Sequence, residues 1–364
     1  MDLFSFFRMG GLNVVVSLRI VWTGIIHVRL IENTGARVVI HWRYNASDVL
    51  YSFLTPYGPV GVWVDEYMTI YPDGVGIRKV NKKAISPTVK RESIEWEDRR
   101  VEEIAWQDVQ FLAQPGMTPD DVMNLQAVDL ANLEGETAKM DWTEGVPQEN
   151  PLPSANIERI NFKSDYKVFL AFQDGTYINP WGRVPRDMYC HFMTWNHWPV
   201  AMITSQGKSS LFPDRVTHSA LCAADNAVDH GDMAMYGFTK RSVESLIPLV
   251  KSWCNPPQIT NIKGAEDKGY AKEERAYHLR ALSDSIAFDI TASEDKPIVN
   301  PCFVVKNWKD EKDAVLMMDG QRIAPGKQFR QGIVRDTEGK PKLVIWIETV
   351  KEEPVEIKIY KSKI

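Results

Sequence analysis

The chain has 364 residues, 44% hydrophobic and 25% charged, an ordinary globular balance that excludes a disordered chain and leaves room for a large core. Its net charge of −5, with Lys and Arg dispersed among acids, gives no concentrated basic surface of the kind that phosphate backbones require. The 12 Trp, 12 Tyr and 14 Phe suit either a β-rich core or platforms for sugar rings, whose C–H faces lie flat on an indole.

The first residues read MDLFSFFRMGG, and apolar residues continue to Ile26, interrupted by Arg8 and Arg19. No uninterrupted run reaches the ~18 residues of a membrane span. Asp2 ahead of FSFF does not match the basic-first order of a signal peptide. The pattern suits a chain that starts inside a longer gene. Period-2 alternation then predicts strands over 13–22, 25–32, 37–44, 60–71 and 75–80, with a turn at Glu32-Asn33-Thr34-Gly35. Pro72-Asp73-Gly74 between two β-branched runs predicts an antiparallel hairpin across 66–79, because Pro presets one φ and Gly accepts a positive one.

Residues 81–114 read as strands with polar outer faces. Residues 115–153 are rich in Pro, Gly and acids, with a short helix starting at Thr118-Pro119-Asp120-Asp121, Thr118 as cap. Strands resume over 157–162 and 167–172. The clearest helix is 240–254, with Val243, Leu246, Ile247, Val250 and Trp253 on one stripe, Thr239 as cap, Pro248 as a kink and Pro256-Pro257 as a stop. The polar stretch 258–280 suits a linker or surface loop. Strands return over 287–291, 302–306, 314–318, 332–335, 342–350 and 355–360. The expected fold is mostly β: a large antiparallel β-sandwich over 1–260, a linker or surface segment over 261–284, and a small β region over 285–364.

Cys190, Cys222, Cys254 and Cys302 lie far apart with no C-x-x-C pair, which disfavours a four-Cys zinc site. Free buried thiols are the default, and one disulfide is compatible with export.

Chemistry concentrates between Arg183 and His218. Of seven His, His191, His197 and His218 fall here, beside Arg183, Arg186, Asp187, Tyr189, Asn196, Lys208, Asp214 and Arg215. Trp181, Trp195 and Trp198 are interleaved. A catalytic site needs titratable groups beside donors and cations on a wall that excludes water, and this stretch has all of them. If 189–193 is a strand, Tyr189 and His191 share one face, while Cys190 and Phe192 share the other. The plainer reading of Trp195-Asn196-His197-Trp198 is a strand end with both indoles in the core.

No cofactor is expected, with two lesser alternatives. His191 and His197 with Asp214 or His218 offer zinc ligands without a compact zinc spacing. Asp225 to Asp232 offers calcium-friendly oxygens but lacks the Gly and distal Glu of an EF-hand. Asp65 and Glu66 point to opposite strand faces and do not make a glycosidase pair by themselves. His41 and Arg43 suit a half-exposed outer face. There is no G-x-S-x-G elbow, phosphate-cradling Gly loop or H-E-x-x-H.

The run from Asp65 to Arg78 and the Trp-Asn-His-Trp-Pro segment, with the β-rich tail after Pro297, resemble bacterial polysaccharide-processing proteins with a galactose-mutarotase-like (super-sandwich) domain, polysaccharide lyases in particular. The resemblance covers about residues 12–260. It implies a periplasmic or extracellular protein that cuts a uronate-containing polysaccharide by β-elimination. It further implies Arg183, Arg215 or Asn196 on the uronate carboxylate, His197 or His191 as base, and Tyr189 as acid or base. Trp181, Trp195, Trp198, Lys208 and His218 are then expected to bind the chain. The competing expectations are a non-catalytic glycan-binding module and a hydrolase using an acid pair such as Asp187 and Asp214.

Overall fold

The computed structural model describes residues 6–9, 12–15, 26–46, 62–84, 107–113, 117–145, 147, 149–173, 177–179, 191–192, 217–225, 233–309 and 313–361. The protein is mostly β. Its sheets are mainly antiparallel, Ala276–Ala281 and Cys302–Lys306 pair in parallel, and Ile247–Cys254 is the longest helix among the described residues. The chain divides into two units. The first takes Met1–Val28, Trp42–Glu66 and Lys79–Glu244; the second takes Arg29–His41, Tyr67–Arg78 and Ser245–Ile364. The strands Ile26–Asn33, Val38–Ala46, Val62–Ile70 and Val75–Ala84 therefore give residues to both.

A nine-stranded sheet runs in the order Ile26–Asn33, Val38–Ala46, Val62–Ile70, Val75–Ala84, Met233–Thr239, Lys167–Ala171, Ile157–Phe162, Met123–Ala131, Thr137–Met140, and its last five strands lie wholly in the first unit. A three-stranded sheet of Tyr177–Asn179, Thr217–Asp225 and Gln107–Ala113 accompanies it. Val109 and Ile178 of the small sheet join Val128, Ile160, Val168 and Ala234 of the large one in a single core, which makes the pair a sandwich. Val168, Phe169, Leu170 and Ala171 are all buried, so both faces of that central strand are covered.

The hairpin expected across 66–79 is present. Tyr71 N–H donates to Val75 O (2.9 Å), Gly74 N–H to Tyr71 O (3.0 Å), and Gly74 has φ +75°. The turn between the two preceding strands closes through Thr34, whose amide donates to Arg37 O (3.0 Å). Ile157–Phe162, Cys302–Lys306 and Ala314–Met318 coincide with the expected strands.

Three readings change. The helix expected over 240–254 begins as a 3-10 turn, Glu244–Leu246, and continues as Ile247–Cys254. Pro248 falls in its first turn, where a missing N–H costs nothing, so it starts the helix instead of kinking it. The stretch read as linker holds the strands Gln258–Lys263, Ala265–Ala271 and Ala276–Ala281. The Pro- and Gly-rich stretch after 115 holds Met123–Ala131, whose Val128, Leu130 and Ala131 are fully buried.

In the second unit two five-stranded sheets enclose a separate core. One runs Gln258–Lys263, Ser285–Thr291, Val355–Lys361, Ala314–Met318, Gln321–Ile323; the other runs Ala265–Ala271, Ala276–Ala281, Cys302–Lys306, Pro341–Ile347, Phe329–Arg335. Phe288, Ile290 and Ile357 from the first meet Phe303, Val305 and Leu343 from the second. Ala276–Ala281 and Cys302–Lys306 pair in parallel because the chain crosses to the other sheet between them.

Candidate functional site

Of the residues expected to carry chemistry, the structure describes His191 and the backbone of His218, which lies in the strand Thr217–Asp225. Trp181, Arg183, Asp187, Tyr189, Trp195, Asn196, His197, Trp198, Lys208, Asp214 and Arg215 lie outside the described residues. Residues 191–192 form a bend instead of a strand, yet the two side chains still separate. Phe192 is fully buried and stacks on Trp142, ring centroids 6.0 Å apart. His191 is left half-buried at the edge of that core.

The residue that holds His191 is Asp120. Its Oδ1 accepts the His191 backbone amide (3.0 Å), and its Oδ2 lies 2.7 Å from ring Nδ1. Asp120 belongs to the short helix Pro119–Val122, entered from an extended Thr118 whose amide donates to the Asp121 carboxylate (2.7 Å). Lys163 Nζ donates to Asp120 O (2.7 Å) and ties the same turn down. A carboxylate on Nδ1 selects the tautomer with its proton there and turns the Nε2 lone pair outward. Among the described residues Nε2 has no partner. Asp141 completes the surroundings. The Thr143 side chain and amide hold its carboxyl below the usual range, and the nearby His191 adds to the same direction. The arrangement is a histidine fixed in orientation by one carboxylate, with its second ring nitrogen free among the described residues.

The first unit also carries a polar groove of about 450 Å³. It is lined by Asn124, Gln126 and Asp129 of one strand, Lys139 and Arg159 of its two neighbours, and Glu244, which opens the 3-10 turn. Arg159 Nη1 donates to Asp129 Oδ2 and to Asn161 Oδ1 (both 2.5 Å), and Gln126 Nε2 donates to Asp129 Oδ1 (2.9 Å).

The second unit holds a third polar cluster. Arg37, its side chain 2% exposed, lies between Glu32 (2.7 Å) and Glu274 (2.7 Å); Lys342 reaches Glu32 (2.6 Å) and His278 reaches Glu274 (3.3 Å). Arg275, in a left-handed conformation at φ +47°, pairs with Asp73 of the hairpin turn (2.7 Å), which also accepts from Asn300 (2.9 Å). Burial pushes Glu274 up, but His278 and Arg37 outweigh it and hold the carboxyl down to about 2. Burial likewise raises Glu32, and Arg37 and Lys342 bring it below the usual range. Burial pushes the Cys302 thiol up to about 11. Three acids here meet three permanent cations, so the cluster is a neutralised lattice that orders strands.

Two other candidates resolve structurally. Asp65 takes the Arg43 guanidinium on both oxygens (2.7 and 2.9 Å), and Glu66 accepts the Tyr44 hydroxyl (2.7 Å). His41 is buried, not half-exposed: its ring stacks on Tyr67 at 4.5 Å and meets Arg29 at 3.1 Å. Among the described residues no three His, Cys, Asp or Glu stand close enough to hold a metal, and no helix is long and apolar enough to cross a membrane. Cys254 and Cys302 are buried free thiols.

The fold and this site together define a β-sandwich protein with a carboxylate-oriented histidine and a separate polar groove. No protein-family model matches the chain, and no curated protein matches it.

Proposed function

We propose that the protein is a carbohydrate-active enzyme that cleaves an acidic polysaccharide by β-elimination. The observation that carries the reading is the capture of His191 by Asp120 through both ring and backbone. β-Elimination needs a base for the proton next to a uronate carboxylate. The base takes that proton, the electron pair becomes a C=C bond, and the bond to the leaving oxygen breaks and is capped by an acid. His191 with Nδ1 committed to Asp120 is such a base. Tyr189 is the acid in this reading, Arg183, Arg215 and Asn196 neutralise the uronate, and His197 is the alternative base. Trp181, Trp195, Trp198, Lys208 and His218 bind the chain. A polymeric substrate sets the reaction in the periplasm or outside the cell.

The test is one incubation with a panel of acidic and neutral polysaccharides, read by ultraviolet absorbance and by reducing ends. A lyase yields an absorbing unsaturated product. A hydrolase yields reducing ends alone, and a binder leaves the polymer whole; either result ends the reading. On the polymer that is cut, His191→Ala lowers kcat by about 10²- to 10⁴-fold, the usual contribution of a positioned base. Asp120→Asn lowers kcat by at least about 10-fold, because the amide no longer selects the tautomer. Unchanged turnover in both variants removes His191 from the chemistry.

A further inference from the structure

We infer that the polar groove of the first unit is a binding site for a neutral, hydroxyl-rich saccharide segment. This stands apart from the reading above, since neither His191 nor Asp120 lines the groove.

The groove's amides are held in fixed orientations by the backbone. Asn124 Nδ2 donates to Asn161 O (3.0 Å), and Asn161 Nδ2 donates to Gln126 O (3.0 Å). Gln126 Nε2 is committed to Asp129. Each of these amide nitrogens thus has one N–H committed, and Asn161 Oδ1 is taken by Arg159. Two carbonyl acceptors, Asn124 Oδ1 and Gln126 Oε1, are left without a partner among the described residues. Donors are left as well. Lys139 Nζ makes no hydrogen bond among the described residues, and each of the three amide nitrogens keeps a second N–H.

Fixed acceptors beside spare donors match a ligand whose groups both give and take hydrogen bonds. A sugar hydroxyl does both. The charges select for neutrality: Asp129 and Glu244 balance Lys139 and Arg159. Such a lining gives no net Coulomb attraction to a phosphate or a polyuronate. Ala138 and Val243 are the only apolar residues lining it among the described residues, so an apolar ligand finds little surface to bury there. The volume falls in the usual range for small-ligand sites. Among the described residues the lining has no aromatic ring, so the sugar is held by its hydroxyl edges and binding is weak, in the millimolar to high-micromolar range.

The experiment is calorimetric titration of the full chain with neutral gluco-, manno-, xylo- and galacto-oligosaccharides and with uronate oligosaccharides of matched length. At least one neutral series binds, and the uronates bind no better. Lys139→Ala and Gln126→Ala each weaken it by about 3- to 10-fold, the loss of one hydrogen bond. Lys139 is exposed, so its variant keeps the wild-type melting curve even if Gln126→Ala is poorly folded. His191→Ala, which disables the proposed cleavage, leaves this binding intact, so the two readings fail separately. Absence of binding by every neutral series at tens of millimolar overturns the inference. So does binding by uronates alone, or binding that Lys139→Ala leaves unchanged.

Discussion

Asp120 spends both carboxylate oxygens on a residue 71 positions away, one on its ring and one on its amide. His191 could be singled out in the sequence because histidines are scarce and three cluster in one aromatic stretch. Asp120 could not, because an acid after Thr-Pro reads as an ordinary helix start, and a contact across that separation leaves no spacing to detect. At the same scale, Gly332 shows how tightly the second unit is packed. A Cβ added there meets Thr34 Cβ at 2.4 Å, while Thr34 Oγ1 already accepts from the Ala36 and Arg37 amides (3.2 Å each). Gly332→Ala therefore destabilises the protein by about 1–3 kcal/mol, the usual cost of overpacking, measured by denaturant titration. Cys302 gives a chemical counterpart. With its thiol at about 11 and fully buried, it stays unlabelled by a thiol reagent near neutral pH in a Cys190→Ser/Cys222→Ser background, and reacts once the chain is unfolded.

Among the elements, the strands that were legible are compact apolar runs such as Ile157–Phe162, Cys302–Lys306 and Ala314–Met318, and the Pro-Asp-Gly hairpin, whose turn chemistry is local. The ones that were missed are polar for a reason. Met123–Ala131 carries Asn124, Gln126 and Asp129, which line the groove, and those residues break the apolar rhythm. Gln258–Lys263 and Ala265–Ala271 each lie at the edge of a five-stranded sheet, where exposed polar side chains are the rule, so they resemble a loop. The charge lattice of the second unit makes a pH prediction. Glu274 is held at about 2 against an ordinary 4.5, so the folded state binds its proton less readily than the unfolded state. Its stabilisation is complete above the ordinary value and is lost as pH falls from about 4.5 towards 2. Melting temperature drops over that window, and Glu274→Gln, less stable than wild type at neutral pH, converges on it in acid. A constant gap between the two curves removes Glu274 from the acid response.

At the level of the whole molecule, each unit has its own core, and each is assembled from three separated stretches of chain. Ala36 and Tyr71, from the early hairpins, pack with Cys302, Val304, Val344 and Trp346. A fragment of 245–364 alone lacks those two side chains and the Glu32, Arg37 and Asp73 partners of Lys342, Glu274 and Arg275. Removing one side of a buried ion pair typically costs about 3–5 kcal/mol. The fragment therefore melts well below the full chain, with its Trp fluorescence shifted to the red as Trp346 gains water.

Glu32 has Arg37 beside it in the chain, but its second cation, Lys342, is 310 residues further along. At roughly 5–20 residues per second on the ribosome, that second partner is made roughly 15–60 s after the acid. Birth order and folding order are thus at odds in this chain: its earliest hairpins emerge with apolar and charged surfaces whose company has yet to be translated, and a newborn chain has to be kept from finding substitutes in the meantime.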